Sequence, residues 1–163
     1  MRTIRIQMGI IPAVAVLWLA ACGSTAPSSN GPSPSGAALI HTASIKVGDK
    51  TQTVLKNAKG LTLYYFTADT ATKVACTAGC VSNWPPLLAT SGTPTSNPAL
   101  PGELTVLSGA NGNQVLYNGH PLYTYIKDGD VADVYGQGIG GKWFAATSDL
   151  ASATATPAPP VGY

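Results

Sequence analysis

Short runs in which apolar and polar residues alternate, punctuated by Gly, Asn, Asp and Pro, fill the middle of the chain. Alternation with period two places successive side chains on opposite faces of an extended backbone, so these runs predict strands. Residues 43–47, 51–56 and 61–67 are separated by Gly48-Asp49 and by Asn57-Ala58-Lys59-Gly60, which predicts a three-stranded meander. Residues 104–107, 114–117 and 121–126 predict a second one, joined through Asn111-Gly112 and Asn118-Gly119. Asn-Gly is a strong hairpin signal because both residues tolerate the positive φ of a type I′ turn. After each meander come a long loop and a tryptophan-led run, residues 84–88 and 143–147. Pro85 and Pro86 lack amide donors, so the first of these runs is expected at an edge, or extended rather than centrally paired. No segment carries helical periodicity of useful length. The expected fold is all-β: a small antiparallel domain of two pseudo-repeats, each a meander plus a Trp-led strand.

The two halves repeat each other at a constant offset of 59 residues. Gly60, Leu63, Tyr64, Asp69, Gly79 and Trp84 recur as Gly119, Leu122, Tyr123, Asp128, Gly138 and Trp143, and the aromatic Phe66 recurs as Tyr125. Six identities in register, tyrosine and tryptophan among them, mark an internal duplication with repeats at about 42–90 and 103–148. Tyr64 and Phe66 share one strand face while Leu63, Tyr65 and Thr67 share the other, and both faces are largely apolar. That pattern predicts central strands covered on both sides. Two readings of the doubled positions Tyr64, Phe66, Asp69, Trp84, Tyr123, Tyr125, Asp128 and Trp143 follow. In one, the aromatic residues are core and the aspartates bind backbone amides of the next loop. In the other, both copies line a shared groove for a small ligand, a sugar or an aromatic cofactor.

The flanks are of different composition. Arg2 and Arg5 precede an apolar stretch at residues 8–19 that is too short for a comfortable membrane span, so residues 1–21 read as an export signal. The stretch ends in Leu19-Ala20-Ala21-Cys22, which resembles a bacterial lipobox, with Cys22 as the acylated first residue of the mature chain. An ordinary signal peptide with an incidental Cys22 is the alternative. Residues 22–38, rich in Ser, Pro, Gly and Ala without charge, read as a flexible tether, and 151–163, rich in Ala, Thr and Pro, as a disordered tail. The domain between them is assigned to 39–150. Once Arg2 and Arg5 are removed, seven lysines face seven acids. That balance argues against nucleic acid as a partner and leaves acyl chains on Cys22, rather than charge, to hold the protein to a membrane.

Chemistry-bearing residues are few. Of three cysteines, Cys76 and Cys80 remain after Cys22 is assigned to lipid, and in an oxidising compartment a disulfide is the expected state. So short a loop would constrain the unfolded chain by about 2 kcal/mol in the chain-entropy model. The second copy has Tyr135 and Ile139 in their places. Residues 136–142, Gly-Gln-Gly-Ile-Gly-Gly-Lys, mimic a phosphate-loop spacing, but Trp143 stands where Ser or Thr should bind magnesium and no helix follows. Asp128, Asp130 and Asp133 lack the order of a calcium loop. The two histidines, His41 and His120, sit in no triad context, and G-x-S-x-G is absent. No catalytic residue, metal site or cofactor is therefore predicted.

At Tyr64-Tyr65-Phe66-Thr67-Ala68-Asp69 and Tyr123-Thr124-Tyr125-Ile126-Lys127-Asp128 the chain resembles the bacterial secreted-repeat lipoproteins with a Y-x4-D motif. The cysteine pair leading into Trp84-Pro85-Pro86-Leu87, and Tyr135-Gly136-Gln137-Gly138 leading into Trp143, match further landmarks over residues 45–148. The resemblance implies an exported, often lipid-anchored, β-rich protein and supplies no reaction. The expected function is a lipid-anchored, non-enzymatic cell-envelope module that binds a small ligand or an envelope protein. The alternative is an accessory to envelope redox or electron transfer, using the aromatic cluster or Cys76 and Cys80.

Overall fold

In the computed structural model, which describes residues 39–153, the alternating runs become eight strands. The stretches expected to be an export signal (1–21), an acylated Cys22 with its tether (22–38) and most of the expected tail (154–163) lie outside the described residues. β1 (Ile40–Val47) and β2 (Lys50–Asn57) form an antiparallel hairpin, with Ile40 opposite Asn57 and Val47 opposite Lys50. β3 (Tyr64–Phe66) follows, then the two-residue β4 (Ser96–Asn97), which runs parallel to the start of β1. β5 (Leu104–Gly109), β6 (Gly112–Tyr117) and β7 (His120–Tyr123) are a continuous meander, and β8 (Trp143–Ala145) closes the set. Asn118 and Gly119 both have positive φ, 49° and 79°, as the Asn-Gly signal requires, whereas at Asn111-Gly112 only the glycine does, at 92°, so that turn is not of the expected type. The Asn118 side chain fixes that turn further by accepting from the Glu103 amide at 2.8 Å and donating to the Leu150 carbonyl at 2.7 Å.

Two sheets result, with strand orders β2-β1-β4 and β5-β6-β7-β3-β8. β3 pairs antiparallel with β7 on one side and β8 on the other, so the two repeats meet along their tyrosine strands. The first meander therefore differs from the second. β2 and the run before β3 touch at a single bridge, Lys56 to Thr62, before β3 departs into the other sheet. The Trp84 run is extended, but it is not at an edge: the Leu87 amide donates to Leu122 O at 2.9 Å and the Leu87 carbonyl accepts from Val115 at 2.8 Å. It is wedged between β6 and β7. Pro85 fits there because only its carbonyl is needed, accepting from Thr124 at 2.8 Å.

Strand alternation divides the core into two clusters. Leu63 and Leu122 point to one, with Ile40, Leu55, Leu87, Val115, Tyr117 and Ala146. Tyr64 and Tyr123 point to the other, with Val47, Val54, Cys76, Trp84, Trp143 and Ala145. Leu63, Tyr64, Leu122 and Tyr123 are wholly inaccessible to solvent, as both-sides-apolar strands predict.

Candidate functional site

Tyr64 stands directly opposite Tyr123 in the β3–β7 ladder, and the bonding around this pair obeys the 59-residue offset. Ala146 N donates to Leu63 O at 2.8 Å, and Leu87 N to Leu122 O at 2.9 Å. Thr67 N donates to Lys142 O at 2.9 Å, and Ile126 N to Asn83 O at 3.0 Å. Each member of a pair is its partner shifted by one repeat, with donor and acceptor drawn from different copies. The tryptophan run of each repeat thus lies against the tyrosine strand of the other.

The side chains cross in the same way. The Tyr64 hydroxyl donates to Asp128 Oδ2 at 2.7 Å, and the Tyr123 hydroxyl to Asp69 Oδ2 at 2.6 Å. Each aspartate uses its other oxygen within its own loop: Asp69 Oδ1 accepts from Ala75 N at 2.6 Å and Asp128 Oδ1 from Tyr135 N at 3.1 Å. A buried tyrosine needs an acceptor and a loop amide needs one too, so one carboxylate joins the strand of one repeat to the loop of the other. Above the tyrosines, Trp84 and Trp143 stack with parallel planes, centroids 3.7 Å apart. Phe66 extends the stack on Trp143 at 4.5 Å and Tyr125 extends it on Trp84 at 4.4 Å. Tyr64 and Tyr123 meet Trp84 and Trp143 edge-on at 5.5 and 5.2 Å. All eight doubled residues are brought together, and what they build is a closed seam rather than an open cleft.

The interior of the seam, at Tyr64, Tyr123, Trp84 and Trp143, is filled. A methyl on Gly136 would sit 2.7 Å from the Tyr64 ring and 3.0 Å from Trp84, and the Gly136 amide donates to the Tyr64 hydroxyl at 3.2 Å. Burial is the leading influence on Asp69, Asp128, Tyr64 and Tyr123. It raises Asp69 and Asp128 above the ordinary carboxylate value of 3.8, against the lowering effect of the tyrosine and amide donors. It also pushes both tyrosines far above the ordinary phenol value, assisted by the adjacent carboxylates. A carboxyl whose folded pKa is raised stabilises the fold fully below its unfolded pKa, and that contribution is lost as pH rises through the folded value. His120, lowered by burial, has the opposite sign: its contribution is lost as pH falls below about 6.5. Differences between wild type and an Asp69→Asn/Asp128→Asn protein separate the two. Wild-type melting temperature, relative to that double variant, is expected to fall as pH rises above 3.8; calorimetry showing a rise over that interval would reverse the assigned direction.

Approach to the seam differs between the copies. In the first, Cys76 and Cys80 are bonded, with Cα atoms 5.3 Å apart, Cys76 preceding the 3-10 turn Ala78–Ser82 and Cys80 lying within it. The Cys80 carbonyl accepts from both Asn83 N and Trp84 N at 3.1 Å, setting the entry of the tryptophan run. In the second copy the turn Ile139–Gly141 serves without a bridge. The glycine-rich loop spends its amides internally: Gly138, Ile139, Gly141 and Lys142 all donate to backbone carbonyls of residues 136–143, so those donors are not free to cradle phosphate. The acidic loop is likewise engaged in its own turn, Asp133 Oδ2 accepting from Gly129 N and Asp130 N at 2.9 and 2.8 Å.

A recess of about 510 Å³ lies elsewhere, over one face of the β1–β2 hairpin. His41, Ala43 and Ile45 of β1 and Lys56 of β2 form its floor, the turn residues Ala58, Lys59 and Gly60 one wall, and Val131 and Ala132 of the second repeat another. Lys56 is 2 % exposed, and its ammonium donates to Thr62 Oγ1 at 2.7 Å and to Val131 O at 2.8 Å. Thr62 Oγ1 passes a hydrogen bond on to Asp133 O at 2.6 Å, so the pair fastens the second repeat's loop over the first repeat's strand. Burial lowers the Lys56 pKa against the pull of Asp128 and Asp133. Sequence reasoning passed over Lys56 and Val131. The signal was a mismatch: Lys56 bridges Thr62 where the second copy's bridge pairs Leu116 with Pro121. Lys56 takes the bridge position of Leu116, one residue out of the 59-residue offset that would set it against Val115, and a lysine where the duplicate is apolar in either alignment marks this face.

A family model described as a secreted repeat of unknown function matches the chain twice, over residues 47–88 and 105–147. The two matches coincide with the two halves of the seam. No curated protein and no solved structure matches the chain significantly.

Proposed function

We propose, for a chain that belongs to the family of secreted repeats of unknown function, that it is a lipid-anchored, non-enzymatic envelope protein whose ligand site is the recess over β1 and β2. The carrying observation is the closure of the seam. With the doubled aromatic and acidic residues engaged between the repeats, the recess offers, among the described residues, apolar wall, polar groups and open volume together, within the roughly 300–1,000 Å³ usual for small-molecule sites. Export follows from the family; acylation at Cys22 and retention at a bacterial membrane are part of the proposal. Amide chemical-shift mapping of the full-length Cys22→Ser protein against a panel of metabolites, glycans and lipids tests the site. Shifts centred on residues 41–45, 56–60 and 131–132 support it, and shifts confined to other surfaces would move the site.

The redox alternative has one observation in its favour: the Cys76–Cys80 bridge packs into the same cluster as the ring stack. Against it, Cys76 is 1 % exposed and the second copy makes the same approach without sulfur. A disulfide that titrates reversibly near the potential of the compartment supports this reading, and one that resists reduction below about −300 mV is structural.

A further inference from the structure

The lining of the recess selects a ligand class, an inference that rests on the site proposed above. Ala43, Ile45, Ala58, Val131 and Ala132, with the aliphatic stem of Lys56, present hydrocarbon. Its titratable lining residues, His41, Lys56 and Lys59, are all bases, with no carboxylate among them. Lys56 is spent on Thr62 and Val131, and His41 Nδ1 lies 3.3 Å from the Asn97 carbonyl, whereas the Lys59 side chain is exposed at the rim. Val131 is a large apolar side chain left 57 % exposed, with Ile126 and Tyr135 nearby in sequence at 59 % and 64 %. A neutral sugar would leave hydrocarbon walls without a partner, and among the lining residues a cation would meet like charge, since Asp133 beside the Val131–Ala132 wall is engaged by the Gly129 and Asp130 amides. An apolar trough with a cationic lip instead complements a molecule with a hydrocarbon chain and an anionic head.

We propose that the recess binds a single-chain amphipathic anion, such as a free fatty acid, with its chain along Ala43, Ile45 and Val131 and its head at Lys59. The volume, about 510 Å³, is on the scale of one chain, and the occupant proposed is a dissolved monomer. Chain and head contribute separately and can be varied separately. Each added methylene buried in the trough tightens binding by up to about four-fold. A rim charge acts through solvent, so reversing it weakens binding modestly and in a salt-dependent way.

The test titrates octanoate, decanoate and 1-octanol into the full-length Cys22→Ser protein, followed by amide shifts at the recess. Expected are tightening of about two- to four-fold per methylene, preference for octanoate over 1-octanol, and loss of that preference in Lys59→Glu. Lys59 is exposed and its backbone amide alone bonds Asn57, so the variant should fold. Val131→Asp, which places a carboxylate in the trough and keeps the backbone carbonyl that Lys56 uses, should weaken all three probes. Equal affinity for octanoate and 1-octanol, or affinity independent of chain length, overturns the amphipathic-anion assignment. So does a response to phosphatidylglycerol vesicles alone. If these probes fail while another ligand shifts the same residues, the class falls and the site stands; if no ligand shifts them, the site falls as well.

Discussion

A Trp143→Ala protein is expected to lose about 3–5 kcal/mol of stability, the range for emptying a buried large aromatic site. Trp143 is 6 % exposed and touches three other rings of the seam: Trp84 face to face, Phe66 face to face and Tyr123 edge-on. Removing it takes away the central contact of a four-ring stack whose members come alternately from the two repeats. Small domains are stable by only about 5–15 kcal/mol, so the loss approaches the whole margin. Trp84→Ala removes the symmetry-related ring and should cost a comparable amount. Urea denaturation of the two variants measures this. A cost below about 1 kcal/mol for either would show that the stack is not what joins the repeats.

Separating the repeats should have a still larger effect. Residues 39–93 and 94–153, produced as individual chains, are each expected to be unfolded. The first lacks the run that bonds to Leu55 and Leu63 through Ala146, and the second lacks the run that bonds to Val115 and Leu122 through Leu87. Each also leaves a buried tyrosine without its carboxylate, a group that costs about 1–3 kcal/mol when unpaired. Mixing the two restores both sets of bonds, so dispersed amide resonances and cooperative melting should appear only in the mixture. A dispersed spectrum from either half alone would make the repeats independent units that happen to touch.

The strands were legible because their chemistry is local. Period-two alternation and the Asn-Gly turns located β5, β6 and β7 to within a few residues, and the doubled apolar faces of Leu63-Tyr64 and Leu122-Tyr123 announced central strands. The aspartates' amide bonds also follow from local rules, since Asp69 reaches Ala75 and Asp128 reaches Tyr135 within one loop. What alternation cannot encode is which copy a residue addresses. Tyr64 and Asp69 are five positions apart in the motif, yet Tyr64 bonds Asp128, because β3 lies beside β7 and the strand pairing is long-range. The Trp84 run shows the same limit. Its prolines suggested an edge, but a run can be wedged between two strands when its carbonyls do the bonding. Lys56 was illegible for a third reason: alternation flags it only as polar, and its burial depends on Val131, 75 residues away.

The doubled tyrosine and aspartate act across the repeats and not within them. A double-mutant cycle on unfolding free energy with Tyr64→Phe and Asp128→Ala tests this most directly, set beside the cycle of Tyr64→Phe with Asp69→Ala. The cross-repeat pair is predicted to couple by about 1–3 kcal/mol and the within-repeat pair by less than about 0.5 kcal/mol. Strong coupling of Tyr64 to Asp69 with none to Asp128 would contradict the interlocked seam and return the motif to a unit within each repeat.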